Sequence, residues 1–346
     1  MSATTKSPTA SDSRTASGSR TPSKAARLLG DRRLPVAVTA LLFLLMYLGG
    51  LTRYQNFGFT EPQVFLNLFI DNGYLLVAAV GVTFVILSGG IDLSVGSVIG
   101  FTTMFTAWLV ERQGLPLLVV IPMALAVGAF GGFLMGYVIH NFEIQPFIVT
   151  LAGLFLFRGL CLVISKESIS ISDSSVSSMA ERQVSLGIGF LSLGAIISLV
   201  VLAVAFYVLH YTRFGRRVYA VGGNEQSALL MGLPQGGTKI AVYTVSGFCS
   251  ALAGLLFTLY IQSGDPLHAT GMELDAIAAV VIGGTLLTGG SGYVLGTLFG
   301  VLVLGLIKSL IQFEGTLSSW WTKIATGVLL CAFILIQRFM TTRRKT

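Results

Sequence analysis

Apolar stretches of roughly 15 to 25 residues, the length that crosses a bilayer core, recur along almost the whole chain. They fall at 34–50, 72–88, 94–110, 116–139, 146–165, 189–210, 240–262, 275–290, 294–312 and 320–338. Residues 64–71 extend the second stretch, and the eighth is short enough to be re-entrant. Only helices and closed barrels satisfy every backbone polar group in lipid, so these lengths predict an all-α polytopic membrane protein of about ten transmembrane helices. Composition agrees, because only 11% of the residues are charged where a soluble surface needs about a quarter.

The net charge of +7 raises the question of nucleic acid, and its distribution answers it. Lys and Arg cluster before Leu34, between Arg213 and Lys239, and from Arg338 onward. With an even number of crossings all three clusters lie on the cytoplasmic side. The external loops then keep only Arg53, Arg112, Lys166 and Arg182, as the positive-inside rule requires. Both termini are therefore expected in the cytoplasm. No aromatic-interleaved basic surface is present, and no nucleic-acid partner is expected.

Three parts follow. Residues 1–33 are rich in Ser, Thr, Ala and basic residues, too poor in apolar surface to offset ordering entropy, and are expected to be a disordered cytoplasmic tail. Residues 34–338 form the membrane domain, with a cytoplasmic loop at 211–239, and 339–346 form a basic tail.

Chemistry is sparse. No phosphate-binding G-x-x-x-x-G-K-[S/T] loop occurs, so the chain has no visible means of hydrolysing ATP. Gly290-Ser291-Gly292-Tyr293-Val294-Leu295-Gly296 has its third glycine one place late for a dinucleotide fingerprint and follows no βαβ pattern. Cys161, Cys249 and Cys331, and His140, His210 and His268, are scattered without metal spacing. No enzymatic activity, bound cofactor or metal is expected of this chain.

The 211–239 loop begins basic and turns at Gly222-Gly223; Asn224 then caps a short helix, Glu225 suits its dipole, and Gly232 and Pro234 stop it. It reads either as a solvated connector or as a docking element. Gly89-Gly90 and Gly283-Gly284 both follow apolar runs, an internal echo that marks either broken helices near a transport path or tight packing. Asp92 precedes a helix and reads as a cap, with hydrogen bonding to a polar solute as the alternative; Ser94 lies beside it. Asp71 and Asn72 read as caps of the second span, and Glu273 and Asp275 suit the first turn of the eighth. Arg158 stands inside a span, where charge is costly; Lys308 and Lys323 lie near external ends and snorkel. Trp320-Trp321 reads as an interfacial anchor or a stacking surface.

Val85-Ile86-Leu87-Ser88-Gly89-Gly90-Ile91-Asp92-Leu93-Ser94-Val95-Gly96-Ser97 resembles the signature of ribose-type permeases of bacterial ABC importers. Arg213-Phe214-Gly215 with Ala220-Val221-Gly222-Gly223-Asn224 and Gly232-Leu233 resembles their coupling loop, and Val281-Ile282-Gly283-Gly284-Thr285 with Gly289-Gly290 their third motif. The likeness runs from about residue 36 to 338, and the stretch Gly315–Lys323 is most like a galactofuranose permease of that group. The resemblance implies inward movement of a monosaccharide across the bacterial inner membrane. It implies a periplasmic sugar-binding protein, a tandem ATPase carrying ATP and Mg, and a second permease, different in sequence in galactofuranose-type systems. Arg213, Phe214, Gly215, Gly222, Gly223, Asn224, Glu225 and Gly232 would couple to the ATPase; Asp92, Ser94, Arg158, Thr285 and Trp320 are the candidate path residues. The rival reading is a secondary transporter driven by an ion gradient, which would show a paired intramembrane acid relay and no docking loop.

Overall fold

The structure, a computed structural model, describes residues 34–318 and 320–342, with side chains to Leu335 in the last stretch. The expected tail at 1–33 with Lys24, Arg27, Arg32 and Arg33, together with Ser319 and residues 343–346, lies outside the described residues.

Among the described residues thirteen helices dominate: α1 (Leu34–Arg53), α2 (Pro62–Leu87), α3 (Val95–Ala107), α4 (Leu117–Asn141), α5 (Pro146–Ile164), α6 (Ser174–Ala180), α7 (Leu193–Tyr211), α8 (Arg213–Gly223), α9 (Glu225–Leu230), α10 (Gln235–Ile261), α11 (Met272–Ile282), α12 (Val294–Glu314) and α13 (Trp320–Thr342). Seven of them, α1, α2, α4, α5, α7, α10 and α12, are long and apolar enough to cross a bilayer. The strands are very short: β1 (Ile169–Ser170) pairs antiparallel with β4 (Ser263–Gly264), and β2 (Gln183–Ser185) with β3 (Phe190–Ser192).

α2 is the axis of the bundle. It is buried nearly all round from Leu75 to Leu87 and packs on α7, α10, α11 and α12. The tightest helix pair is α4 with α10. Gly128, Gly132 and Gly136 on α4, spaced by four residues and so on one face, lie against the α10 backbone at Ile240, Tyr243 and Gly247. A Cβ at Gly128 would stand 2.6 Å from the Gly247 carbonyl oxygen. Small residues bring the backbones together, since lipid tails give helices no hydrophobic reason to associate.

Two spans depart from the sequence reading. The 94–110 span is a 13-residue helix, α3, continued by a wide turn over Trp108–Arg112. The 275–290 span is 11 residues of helix, α11, ending before a glycine-rich loop at 283–293. At 1.5 Å per residue α3 rises about 20 Å and α11 about 16 Å, short of a bilayer core of about 30 Å. Extended and turn segments precede them: 90–94 before α3, and 262–271 before α11. Asp71 and Asn72 are also not caps. α2 starts ten residues before Asn72, whose amide donates to Leu68 O within the helix at 2.9 Å, so the polar pair does not interrupt it.

Candidate functional site

α2 and α11 end in the same way. After α2, Gly89 N donates to Ile86 O and Gly90 N to Val85 O; after α11, Gly284 N donates to Val281 O and Thr285 N to Val280 O. Both are Schellman turns, which need a left-handed residue, and Gly89 (φ +83) and Gly284 (φ +92) supply it. The internal echo is therefore real at the backbone, with Gly89 matching Gly284 rather than Gly283.

The two loops that follow meet each other and the end of α8. Leu87 O accepts from Gly290 N at 2.9 Å. A Cβ on Gly222 would overlap Leu87 O and stand 2.8 Å from Gly290 N; one on Gly289 would stand 2.8 Å from Gly89 Cα and 2.9 Å from Gly222 O. Tyr219 on α8 donates to Gly292 O at 2.8 Å. The glycine pairs 89–90, 222–223 and 289–290, distant in sequence, thus form one backbone-to-backbone junction.

The segment ahead of this junction is helical, where the sequence suggested a basic stretch ending in a turn. Thr212 caps α8 by accepting from Gly215 N, and Gly215, Val218 and Val221 are buried on its inner face, with Phe214 packed beside them. Arg213 and Arg216 point outward. Asn224 Oδ1 accepts from Ser227 N at 2.8 Å and caps α9 as expected. Lys239 on α10 pairs with Glu225 at 2.5 Å, and Gly232, at φ +71, follows the last turn. α9 then presents Leu229, Leu230 and Met231, which are 62%, 88% and 66% exposed. Three adjacent apolar side chains in that state make a contact surface.

The other candidates are dispersed. Asp92 is buried; its Oδ1 accepts from Ser94 N (2.9 Å) and Ser94 Oγ (2.6 Å), and its Oδ2 from Ser246 Oγ on α10 (2.7 Å). It therefore fixes the start of α3 and ties it to α10. Arg158 on α5 donates from one nitrogen to Pro266 O (2.7 Å) and His268 O (2.8 Å), holding the non-helical segment that precedes α11. That segment runs along α3, with the His268 carbonyl against Gly100 and the Glu273 carboxylate against Gly96. Thr285 is fully buried against Gly292, and its hydroxyl has no hydrogen bond among the described residues. Trp320 is 77% exposed at the start of α13 and is not part of this buried group.

One arrangement escaped the sequence reading. Tyr260 donates to Asp71 at 3.3 Å, Lys323 bonds both oxygens of Asp275 at 2.8 Å, and Lys308 stands within electrostatic range of Asp71, Asp275 and Lys323. Partners between 48 and 189 residues apart leave no local signal. Glu273 and Asp275 do occupy the first turn of α11. Outside the membrane, Asp173 caps α6; hydrogen bonds from Ser175 hold its carboxyl below the ordinary carboxylate range.

Comparison with known proteins decides what carries this geometry. Residues 64–334 match the family described as the permease component of the branched-chain amino acid transport system. The inner membrane ABC transporter permease protein YjfF of Escherichia coli is 50% identical over 314 residues, covering 90% of this chain and 93% of its own. The chain belongs to the ribose-type ABC permeases. A fructose import permease, FruG, of Bifidobacterium longum is 38% identical over 336 residues, covering 94% of this chain and 96% of its own. The ribose import permease RbsC of Escherichia coli is 38% identical over 305 residues, covering 87% and 92%. No solved structure matches the chain. This ribose-type permease is a multi-pass protein of the inner membrane.

Proposed function

We propose that this permease carries a monosaccharide, galactofuranose or a related sugar, into the cytoplasm, driven by ATP hydrolysed on a separate tandem ATPase. A periplasmic binding protein delivers the sugar, and a second permease of different sequence completes the path. ATP and Mg belong to the ATPase; this chain supplies the path and the lever.

The observation that carries the reading is the glycine junction. α9 offers an apolar tip for a motor to grip. α8 joins that tip to the loops that follow α2 and precede α12, through Gly222 and Tyr219. Side chains bend, but backbone packed on backbone transmits a push with little slack. Movement of α8 would therefore displace both broken spans together, which is how a cytoplasmic motor alternates access at a site between them. On this reading the short helices α3 and α11, each with its extended half, and α13 complete ten crossings, with both termini in the cytoplasm. Arg213 and Arg216 face the motor. Asp92, Ser94, Arg158 and Thr285 shape the path by holding the broken spans, and Trp320 lies at the external mouth. Galactofuranose is favoured by the Gly315–Lys323 stretch.

An ion-gradient mechanism would need an acid relay across the bundle, and Asp92 is instead engaged with three hydroxyl and amide donors. The test is labelled-sugar uptake by the reconstituted assembly, with ATP supplied and a protonophore added. Uptake that needs hydrolysable ATP and ignores the protonophore supports the proposal; uptake that stops with the gradient while ATP is constant refutes it.

A further inference from the structure

Asp71, Asp275, Lys308 and Lys323 put charges on α2, α11, α12 and α13. The depth of Asp71 follows from helix length. α2 has 26 residues, about 39 Å at 1.5 Å per residue, and exceeds a bilayer core of about 30 Å by about 9 Å. Asp71 is nine residues, about 14 Å, along α2 from Pro62, so it lies within the apolar layer wherever that surplus stands. Lys308 is about 9 Å inside the Glu314 end of α12. The group is not sealed: Asp71 is exposed, Tyr260 is 51% exposed, and the Lys323 side chain is 56% exposed where it meets Asp275. Nor is it saturated. Asp71 accepts one hydrogen bond, from Tyr260 at 3.3 Å. Lys308 is half-buried, within electrostatic range of Asp71, Asp275 and Lys323, and has no hydrogen bond or ion pair among the described residues.

Ionised side chains at this depth face water or protein rather than lipid, and mark transport paths. A long lysine can snorkel to the surface; an aspartate, with one methylene, cannot. We infer that this face is the external wall of the sugar path, where Lys308 with Asp71 and Asp275 binds the hydroxyls of a neutral monosaccharide. Two carboxylates and two ammoniums leave no net charge, so the wall offers acceptors and donors together. A polyol uses both. A sugar that carries its own carboxylate meets Asp71 and Asp275 with no surplus cation to hold it. Trp320, one turn before Lys323 on α13, continues the face toward the external mouth. The inference rests on the transport reading above and adds to it the residues that touch the sugar.

The test reads water access and sugar protection without ATP, so its failure is distinct from a failure of ATP-driven uptake. The full-length chain carries Cys331→Ser, which leaves the buried Cys161 and Cys249, and is treated in right-side-out membrane vesicles with a membrane-impermeant methanethiosulfonate. Asp71→Cys reports on depth, and Val204→Cys, 56% exposed within the apolar α7, is the control. The reactive thiolate is scarce in apolar surroundings, so Asp71→Cys should react about tenfold faster than Val204→Cys or more. If Asp71→Cys does not insert, Lys308→Cys takes its place. Tyr260→Cys reports on the sugar: D-galactose, D-ribose or D-fructose should slow its labelling, D-galacturonate should not, and Lys308→Met should abolish the protection. Labelling of Asp71→Cys no faster than the control overturns the proposal, because the face is then packed against lipid or a second permease. So does fast labelling that none of the three neutral sugars slows, equal protection by D-galacturonate, or protection that survives Lys308→Met.

Discussion

Replacing Gly222 by alanine should disconnect the lever without unfolding the protein. The added Cβ would overlap Leu87 O and stand 2.8 Å from Gly290 N, the two atoms that bond each other at 2.9 Å. Non-bonded heavy atoms settle near 3.5 Å, so the end of α8 must withdraw by about 1.5 Å or more, or the two loops must part. Overpacking of this kind costs about 1–3 kcal/mol, and losing the Leu87–Gly290 bond adds about 1 kcal/mol. Alanine's better helix propensity returns about 0.5–1 kcal/mol. A net cost of about 1–3.5 kcal/mol lowers the population of the closed junction about fivefold or more. The neighbour is the control: a Cβ on Gly223 meets nothing within 4 Å. In proteoliposomes holding the whole assembly, Gly222→Ala should insert normally, keep basal ATPase activity, and lose about four-fifths or more of ATP-driven uptake. Gly223→Ala should transport as wild type. Equal uptake by the two variants would refute the reasoning.

Other consequences can be measured alongside. Asp92→Asn keeps an acceptor for Ser94, and the Ser246 hydroxyl can turn to accept from the new amide, so uptake should persist. Asp92→Ala strands buried donors and should destabilise by about 2–4 kcal/mol, read as a lowered unfolding temperature. Lys323→Ala removes a pair whose lysine side chain is 56% exposed and should change stability by less than about 1 kcal/mol. The Asp173 carboxyl is held below its ordinary range by Ser175. Its cap on α6 is therefore fully present above that range and lost as acidification passes below it, so hydrogen exchange of α6 should quicken only in strong acid.

Most of the membrane domain was legible because the bilayer imposes a length. Where polar residues interrupted an apolar run, the reading failed in a consistent way. Asp71 and Asn72 looked like the start of a span, yet Asn72 satisfies its amide on Leu68 O and α2 runs through both. α8 was missed because its apolar positions are few, although Thr212 before Phe214, Val218 and Val221 is a capped helix with one apolar face. The short helices α3 and α11 were hidden because periodicity does not distinguish an extended apolar segment from a helical one. Asp92 was readable as a local turn-former, but its bond to Ser246 joins residues 154 positions apart. The glycine junction was visible only as three separate motifs, since nothing local says that Gly89, Gly222 and Gly290 touch.

The central claim is that work enters this permease through α9 and α8. The most direct measurement is ATP-driven sugar uptake by an assembly in which Leu229, Leu230 and Met231 are all changed to serine. These side chains are largely exposed, so insertion and unfolding temperature should stay at wild-type values while uptake falls to background and the ATPase no longer co-purifies. Uptake at the wild-type rate, in a correctly inserted protein that has lost that tip, would contradict the account.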